Sequence, residues 1–172
     1  MMKTTVSCAL MCLPILSAAP PKQLPPAPVP AQILAAKKVF VVNAGADVGA
    51  YPVAPFSGAP ERAYNSFYAA MKTWGHYQIV GTPSEADLLI EIRLTVRPGV
   101  VQHGDSTYWD AQFRVVISDP KAHAMLWALT EQVENASLQG NRDKNFDQAL
   151  ARIMTDLERL TAPSTFGDAS NQ

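Results

Sequence analysis

The residue types with the clearest capacity for chemistry stand together in the segment HGDS at residues 103–106. Serine, histidine and a carboxylate are the parts of a hydrolytic triad, in which the imidazole accepts the proton of the serine hydroxyl. A triad is assembled by tertiary structure, however, and neighbours on a short loop rarely point into one another. The chain also has no GxSxG nucleophile elbow. The segment is therefore interpreted as a polar hairpin tip.

Metal and cofactor chemistry have no motif in this chain. The three histidines, His76, His103 and His123, form neither an HxH nor an HExxH pattern. Both cysteines, Cys8 and Cys12, fall in the amino-terminal segment that we interpret below as a signal. We therefore predict no metal site, no cofactor, no thiol nucleophile and no disulfide in the exported chain.

Charged residues alternate with apolar ones in two segments, DLLIEIRLTV from residue 87 and TYWDAQFRVVI from residue 107. A period of two predicts strands with one wholly apolar face and one amphipathic face. The polar members of the amphipathic face form the candidate binding site: Glu91, Arg93, Tyr108, Asp110, Gln112 and Arg114. One interpretation is a solvated face with cross-strand ion pairs. The other is a surface for partner docking or self-association, with Tyr and Arg as typical anchors.

Asp87 begins the first of these strands, within TPSEADLLIEIRL, and raises the question of a catalytic cluster with Glu91 and Arg93. Thr82 to Ala86 suit a single helical turn, with Ser84 as the expected N-cap and Asp87 three residues later in capping-box-like spacing. Capping thus accounts for Asp87 without catalysis.

The elements that position these residues belong to a chain of 172 residues, 48% hydrophobic and 17% charged, with a formal net charge of -1. That length and composition predict one globular domain. The near-neutral charge gives no indication of nucleic acid or an anionic membrane as partner.

The amino terminus is predicted to be a targeting segment. Lys3 is followed by the apolar run VSCALMCLPIL and by the small residues at 17–19, which is the pattern of a secretory signal. Cleavage after Ala18, Ala19 or Ala31 stays open. The predicted organisation is a signal peptide at 1–19, a Pro/Ala-rich linker at 20–35, one domain at 36–161 and a flexible tail at 162–172.

The order of predicted elements is strand, helix, strand, short turn, three strands and a closing helix. The first strand–helix–strand unit implies a parallel pair, and the later meander implies antiparallel neighbours. The predicted fold is an α/β (α+β) two-layer sandwich, with a mixed five-stranded sheet and both helices on one face. Gly75 is expected to end the first helix, and LQGNRDKN (138–145) is expected to be a polar loop before the second.

The run from HYQIVGTPSEADLLIEIRL through FRVVISDPKAHAMLW resembles the TolB amino-terminal/CsgG-like α/β module, and related uncharacterised exported bacterial envelope proteins. The resemblance covers roughly residues 37–160 and lies in strand-and-turn pattern. It implies a non-enzymatic part of an envelope assembly that acts through protein contacts. The chain departs from that module because it has no lipobox and no propeller or pore-forming segment.

We therefore expect an exported protein, periplasmic or secreted, that binds another envelope protein or itself. One alternative is a small secreted hydrolase that uses the loops at 97–106 and 45–59. Another is a small-ligand carrier with an apolar pocket lined by Tyr64, Phe67 and Trp74, although these aromatic side chains also suit an ordinary core.

Overall fold

The computed structural model describes residues 27–47, 55–58, 61–100 and 107–162, of which 98–100 and 107–109 are described by backbone alone. The predicted signal peptide, the HGDS segment and most of the predicted tail lie outside these residues. The elements are α1 (Ala31–Ala35), β1 (Lys38–Asp47), α2 (Arg62–Trp74), β2 (Gln78–Ile79), a 3₁₀ turn (Pro83–Glu85), β3 (Leu88–Val100), β4 (Thr107–Asp119), β5 (Ala124–Val133) and α3 (Gln139–Thr161).

The five strands form one mixed sheet in the order β2-β1-β3-β4-β5. Strand β1 runs parallel to both β2 and β3, while β3, β4 and β5 form an antiparallel meander. Helix α2 is the crossover between the parallel strands β1 and β2. This confirms the predicted α+β fold with a five-stranded mixed sheet.

The core lies between one face of the sheet and the helices. Helix α2 packs on β1 and β3, and α3 packs on β4 and β5. Phe67 of α2 and Phe146 of α3 meet the inward side chains of the sheet, among them Ile90 and Phe113, and all four are fully buried. Apolar residues at helical spacing on the helices and at alternating positions on the strands therefore form the two sides of one interior.

Gly75 ends α2 as the sequence predicts. It has φ 67°, in the left-handed region, and its N–H donates to the carbonyl of Met71 at 3.2 Å. Glycine adopts this conformation without a steric penalty, which explains why the helix stops here.

Helix α1 and the first two turns of α3 occupy segments for which the sequence indicates no regular structure. Helix α1 lies within the predicted linker, and its Ile33 is fully buried beneath Tyr77, whose hydroxyl donates to the Ile33 carbonyl. Helix α3 begins at Gln139, inside the predicted polar loop. In both places tertiary contacts, rather than local apolar periodicity, stabilise the helix.

The alternation of AMLWALTEQV, from residue 124, predicts that Met125 points inward with Trp127 and Leu129, but the Met125 side chain is 61% exposed. The pairing of β4 with β5 shifts by one residue between Ile117 and Ser118. Trp127 stands opposite Ile117, on the core face, whereas Met125 stands opposite Ser118 on the other face. Beyond a bulge, the side chains of a strand lie on the opposite face of the sheet from the one that simple alternation predicts. The sequence pattern of β5 does not indicate the bulge.

None of the helices in the described part of the chain combines the length and apolarity needed to cross a bilayer.

Candidate functional site

The sheet has a second face that no described helix covers, and we call it the open face. Strand pairing sorts its side chains into rows that run across the sheet. The rows are Phe40, Leu89, Ser118 and Met125; then Val42, Glu91, Val116 and Ala128; then Arg93, Arg114 and Thr130; then Asp47, Thr95, Gln112 and Gln132; and finally Arg97 and Asp110. Rows lie two residues apart along each strand, or about 7 Å.

The third row places two cations side by side. Arg93 stands directly opposite Arg114 across the β3–β4 pair, and both side chains are exposed. Among the described residues neither guanidinium has an ion pair with a carboxylate. The cross-strand ion pairs considered from the sequence are thus absent from this row, and like charges directly opposite destabilise a sheet.

The first two rows form an apolar surface beside the arginines, which we call the apolar strip. Its members are Phe40, Val42, Leu89, Val116, Ala128 and Met125. The first four are only half-buried, and the last two are exposed. Glu91 lies between Val42 and Val116, in the row next to the arginine pair. Apolar side chains left half-covered next to unpaired charge are typical of interaction surfaces.

The rows beyond the arginines are polar, and one side-chain hydrogen bond connects them. Gln112 lies between Thr95 and Gln132, and Asp110 accepts a hydrogen bond from the Gln132 side chain while standing opposite Arg97. Five of the six predicted site residues therefore share the open face. The sixth, Tyr108, is described by its backbone alone.

Asp87 does not cap the helical turn. The turn begins at Thr82, and neither Thr82 nor Ser84 provides a side-chain cap to its backbone. One carboxylate oxygen of Asp87 instead accepts the backbone N–H groups of Lys37 and Lys38, each at 2.9 Å. The bond from Lys37, followed by that from Lys38, holds the pKa of Asp87 below its ordinary value. Asp87 thus connects the start of β3 to the start of β1.

A second aspartate, Asp143, joins the residues at 55–58 to the first turns of α3. Asp143 accepts the Ser57 hydroxyl at 2.6 Å, the Ser57 N–H at 2.8 Å and an Arg62 guanidinium N–H at 2.7 Å. Gln139 also donates to Asp143, and the Arg62 guanidinium lies 4.3 Å from the ring centre of Phe146. We call this group the Asp143 clamp. No local motif marks it, because Ser57 and Asp143 are 86 residues apart.

The Asp143 clamp suits structure better than catalysis. Burial by itself raises the pKa of Asp143, but hydrogen bonds from Ser57 and then from Arg62 and Gln139 outweigh it and hold this pKa well below its usual range. A carboxylate with so low a pKa is a weak base towards a serine hydroxyl at neutral pH. Within the described residues the donors to Asp143 include no histidine that would act as the base.

The aromatic side chains suggested for a ligand pocket take part in packing. Phe67 is fully buried, while Tyr64 and Trp74 lie against the edge of the core. Trp74 stacks on His76 with ring centres 4.8 Å apart and meets Tyr77 edge-on at 5.5 Å. Burial raises the pKa of Tyr77 to about 12. Phe67 therefore belongs to the core, and Tyr64 and Trp74 belong to its margin.

The described residues contain no cluster of three or more His, Cys, Asp or Glu side chains that could hold a metal ion.

Comparison with known proteins gives structural likeness at low identity. No family model matches the chain, and no curated protein matches it. The chain is similar to a PelC dodecamer from Paraburkholderia phytofirmans, at 15% identity and TM-score 0.43 over 80% of this chain and 94% of that one. It is also similar to a neuraminyllactose-binding hemagglutinin homolog from Helicobacter pylori, at 11% identity and TM-score 0.47 over 73% and 86%. A Xanthomonas campestris protein of family model DUF330 gives 15% identity and TM-score 0.46 over 78% and 89%.

Proposed function

We propose that this chain is an exported envelope protein that works by binding another protein, or a further copy of itself, through the open face, and that it is not an enzyme. The observation that carries the proposal is the pairing of Arg93 with Arg114. Two guanidinium groups are held opposite each other without a carboxylate partner among the described residues, beside a half-covered apolar strip.

This arrangement costs the isolated fold free energy. Like charges opposite each other on neighbouring strands are unfavourable by a few tenths of a kcal/mol to about 1 kcal/mol, and half-exposed apolar side chains forgo burial. A partner that supplies an anion and an apolar surface relieves the charge repulsion and buries the half-exposed apolar side chains. The resemblance of the sequence to the TolB amino-terminal/CsgG-like module, and the predicted signal peptide, support an envelope role for such binding.

The test is crosslinking and affinity capture of the exported protein from its native host. The double variant Arg93→Glu/Arg114→Glu is compared with wild type, and Lys144→Glu on the exposed side of α3 serves as a charge-reversal control on the helix layer. We expect specific crosslinked species with wild type and Lys144→Glu and their loss with the double variant, whose circular dichroism stays native. A capture profile that all three proteins share would contradict a role for the open face.

A further inference from the structure

We infer that the open face receives an amphipathic helix of a partner protein, with apolar side chains on the apolar strip and a carboxylate between Arg93 and Arg114. This inference rests on the proposed function and specifies the chemistry of the partner. It is drawn from the order of the rows, in which two mainly apolar rows, the second of them containing Glu91, are followed by the arginine row.

The charge of the partner follows from the arginine row. Directly opposed residues on antiparallel strands have Cβ atoms about 5 Å apart, so the two guanidinium groups can converge on a single carboxylate. Charge-assisted hydrogen bonds from arginine to a carboxylate are short and strong. Glu91 lies one row away from the pair and forms no ion pair with either arginine among the described residues.

The secondary structure of the partner follows from the sheet. The arginine row lies on β3 and β4, each of which pairs with a strand on both sides, while the apolar strip extends onto β1, which pairs with β2 only at Lys38 and Val39. An extended segment laid flat on this face would find no backbone partners and would leave its own N–H and C=O groups unpaired. A helix satisfies its backbone internally and offers an apolar stripe.

The spacing of the partner side chains follows from the spacing of the rows. The first row and the arginine row are four residues apart along β4, from Ser118 to Arg114, which is a distance of about 13 Å. A helix rises about 1.5 Å per residue, so seven or eight residues cover most of this distance. The motif expected in the partner helix has apolar residues at the first position and three or four residues later, and Glu or Asp seven or eight residues after the first.

Other occupants fit the face less well. A second copy related by a two-fold axis through the arginine row would bring four guanidinium groups together. An anionic membrane surface would face the carboxylates of Glu91 and Asp110 on the same side of the sheet as the arginines. A separate polypeptide with a single acidic position avoids both conflicts.

The experiment selects surface-displayed helical peptides, randomised on one face, against the purified full-length exported protein. We expect enrichment of the apolar motif with its acidic position. We also expect at least a tenfold weaker Kd for the Arg93→Glu/Arg114→Glu variant, measured by fluorescence anisotropy with the enriched peptide. A peptide with Glu→Lys at the acidic position should lose affinity for wild type and regain it for the double variant, because the charges are then exchanged.

Three results would overturn the inference. These are no enrichment, enrichment of apolar peptides without the acidic position, and equal affinity of the enriched peptide for wild type and the double variant. Light scattering of the protein alone and co-sedimentation with phosphatidylglycerol vesicles test the other occupants. A dimer, or vesicle binding, that the double variant abolishes would replace the helix with a second copy or a membrane. If native capture still depends on the arginines while the peptide selection fails, the proposed function stands and this inference alone is wrong.

Discussion

Three of the described aspartates accept backbone N–H groups. Asp87 receives two from the start of β1, Asp143 receives one from Ser57, and Asp119 receives those of Lys121 and Ala122 in the β4–β5 turn. A carboxylate that accepts several N–H bonds is stabilised in its charged form. At the residue scale, then, side chains that could suggest catalysis instead fix the positions where segments begin and turn.

The Asp143 clamp leads to a prediction about acid stability. Because the folded-state pKa of Asp143 lies below its unfolded value of about 3.9, its stabilisation is fully present above that value and is lost as the pH falls towards the folded-state pKa. We expect Asp143→Asn to lower the free energy of unfolding at pH 7 by about 1–3 kcal/mol, because hydrogen bonds to a charged acceptor are lost. The variant should also lose less stability than wild type between about pH 5 and pH 2. Urea unfolding across this pH range measures both effects.

Asp147→Asn provides the matched control. Asp147 also pairs with Arg62, at 2.8 Å, but its side chain is 64% exposed, against 23% for Asp143. Exposed ion pairs contribute under about 1 kcal/mol, so this variant should remain close to wild type. Equal effects from the two substitutions would contradict the role assigned to the clamp.

At the scale of elements, a glycine at the end of a helix and a glycine at its start have different backbone conformations. Gly75 ends α2 with φ 67°, whereas Gly140 lies in the first turn of α3 with open space around it and no left-handed backbone. An added Cβ is strained in the first conformation and harmless in the second.

We expect Gly75→Ala to lower the free energy of unfolding by about 1 kcal/mol, because alanine is strained in the left-handed region. Gly140→Ala should leave it unchanged or raise it by about 0.5 kcal/mol, because alanine reduces the entropy of the unfolded chain. Thermal and urea unfolding of the two variants give the comparison. A loss of stability at Gly140 as large as at Gly75 would show that conformation at the helix end is not what distinguishes them.

Contacts between elements also explain why α3 begins at Gln139, before the apolar helical spacing that starts at Phe146. Arg142 donates to the carbonyls of Pro55 and Ser137, and Asn145 donates to the carbonyl of Glu134. Further along the helix, Arg152 pairs with Glu131 and donates to the Gln132 carbonyl of β5. The contacts of Arg142 and Asn145 stabilise the first two turns of α3, which contain no apolar side chain to bury.

At the scale of the molecule, helices cover one face of the sheet and no described helix covers the other, and the two faces are stabilised differently. Burial of apolar side chains stabilises the covered face, whereas repulsion within the arginine row of the open face destabilises the sheet. A surface kept for binding is expected to carry such a cost, because its favourable contacts form only with the partner.

This contrast predicts that a single substitution separates stability from binding. Arg114→Thr removes the like-charge contact with Arg93 and places a β-branched residue in β4. It should therefore raise the free energy of unfolding by about 0.2–1 kcal/mol while reducing partner capture. Arg97→Thr is the control, since Arg97 stands opposite Asp110 and its removal should leave stability equal or lower. If Arg114→Thr destabilises the protein as much as Arg97→Thr does, the arginine pair is not under repulsion in the fold.

The sequence by itself determined the order of elements from β1 to α3, the mixed sheet and most of the inward faces. Alternation at 87–96 and 107–117, and helical spacing from Phe146 to Leu160, depend on local periodicity, which is readable because burial selects apolar residues along each element. The same alternation identified the polar residues of β3 and β4 that share the open face.

Only the tertiary structure decided which of these residues stand opposite one another. Register places Arg93 against Arg114 and not against a carboxylate, and a bulge moves Met125 onto the open face. The partners of Asp87 and Asp143 lie 50 and 86 residues away in the chain. Pairings over such separations are fixed by the packing of the whole sheet and its helices, and no local pattern of residue types encodes them.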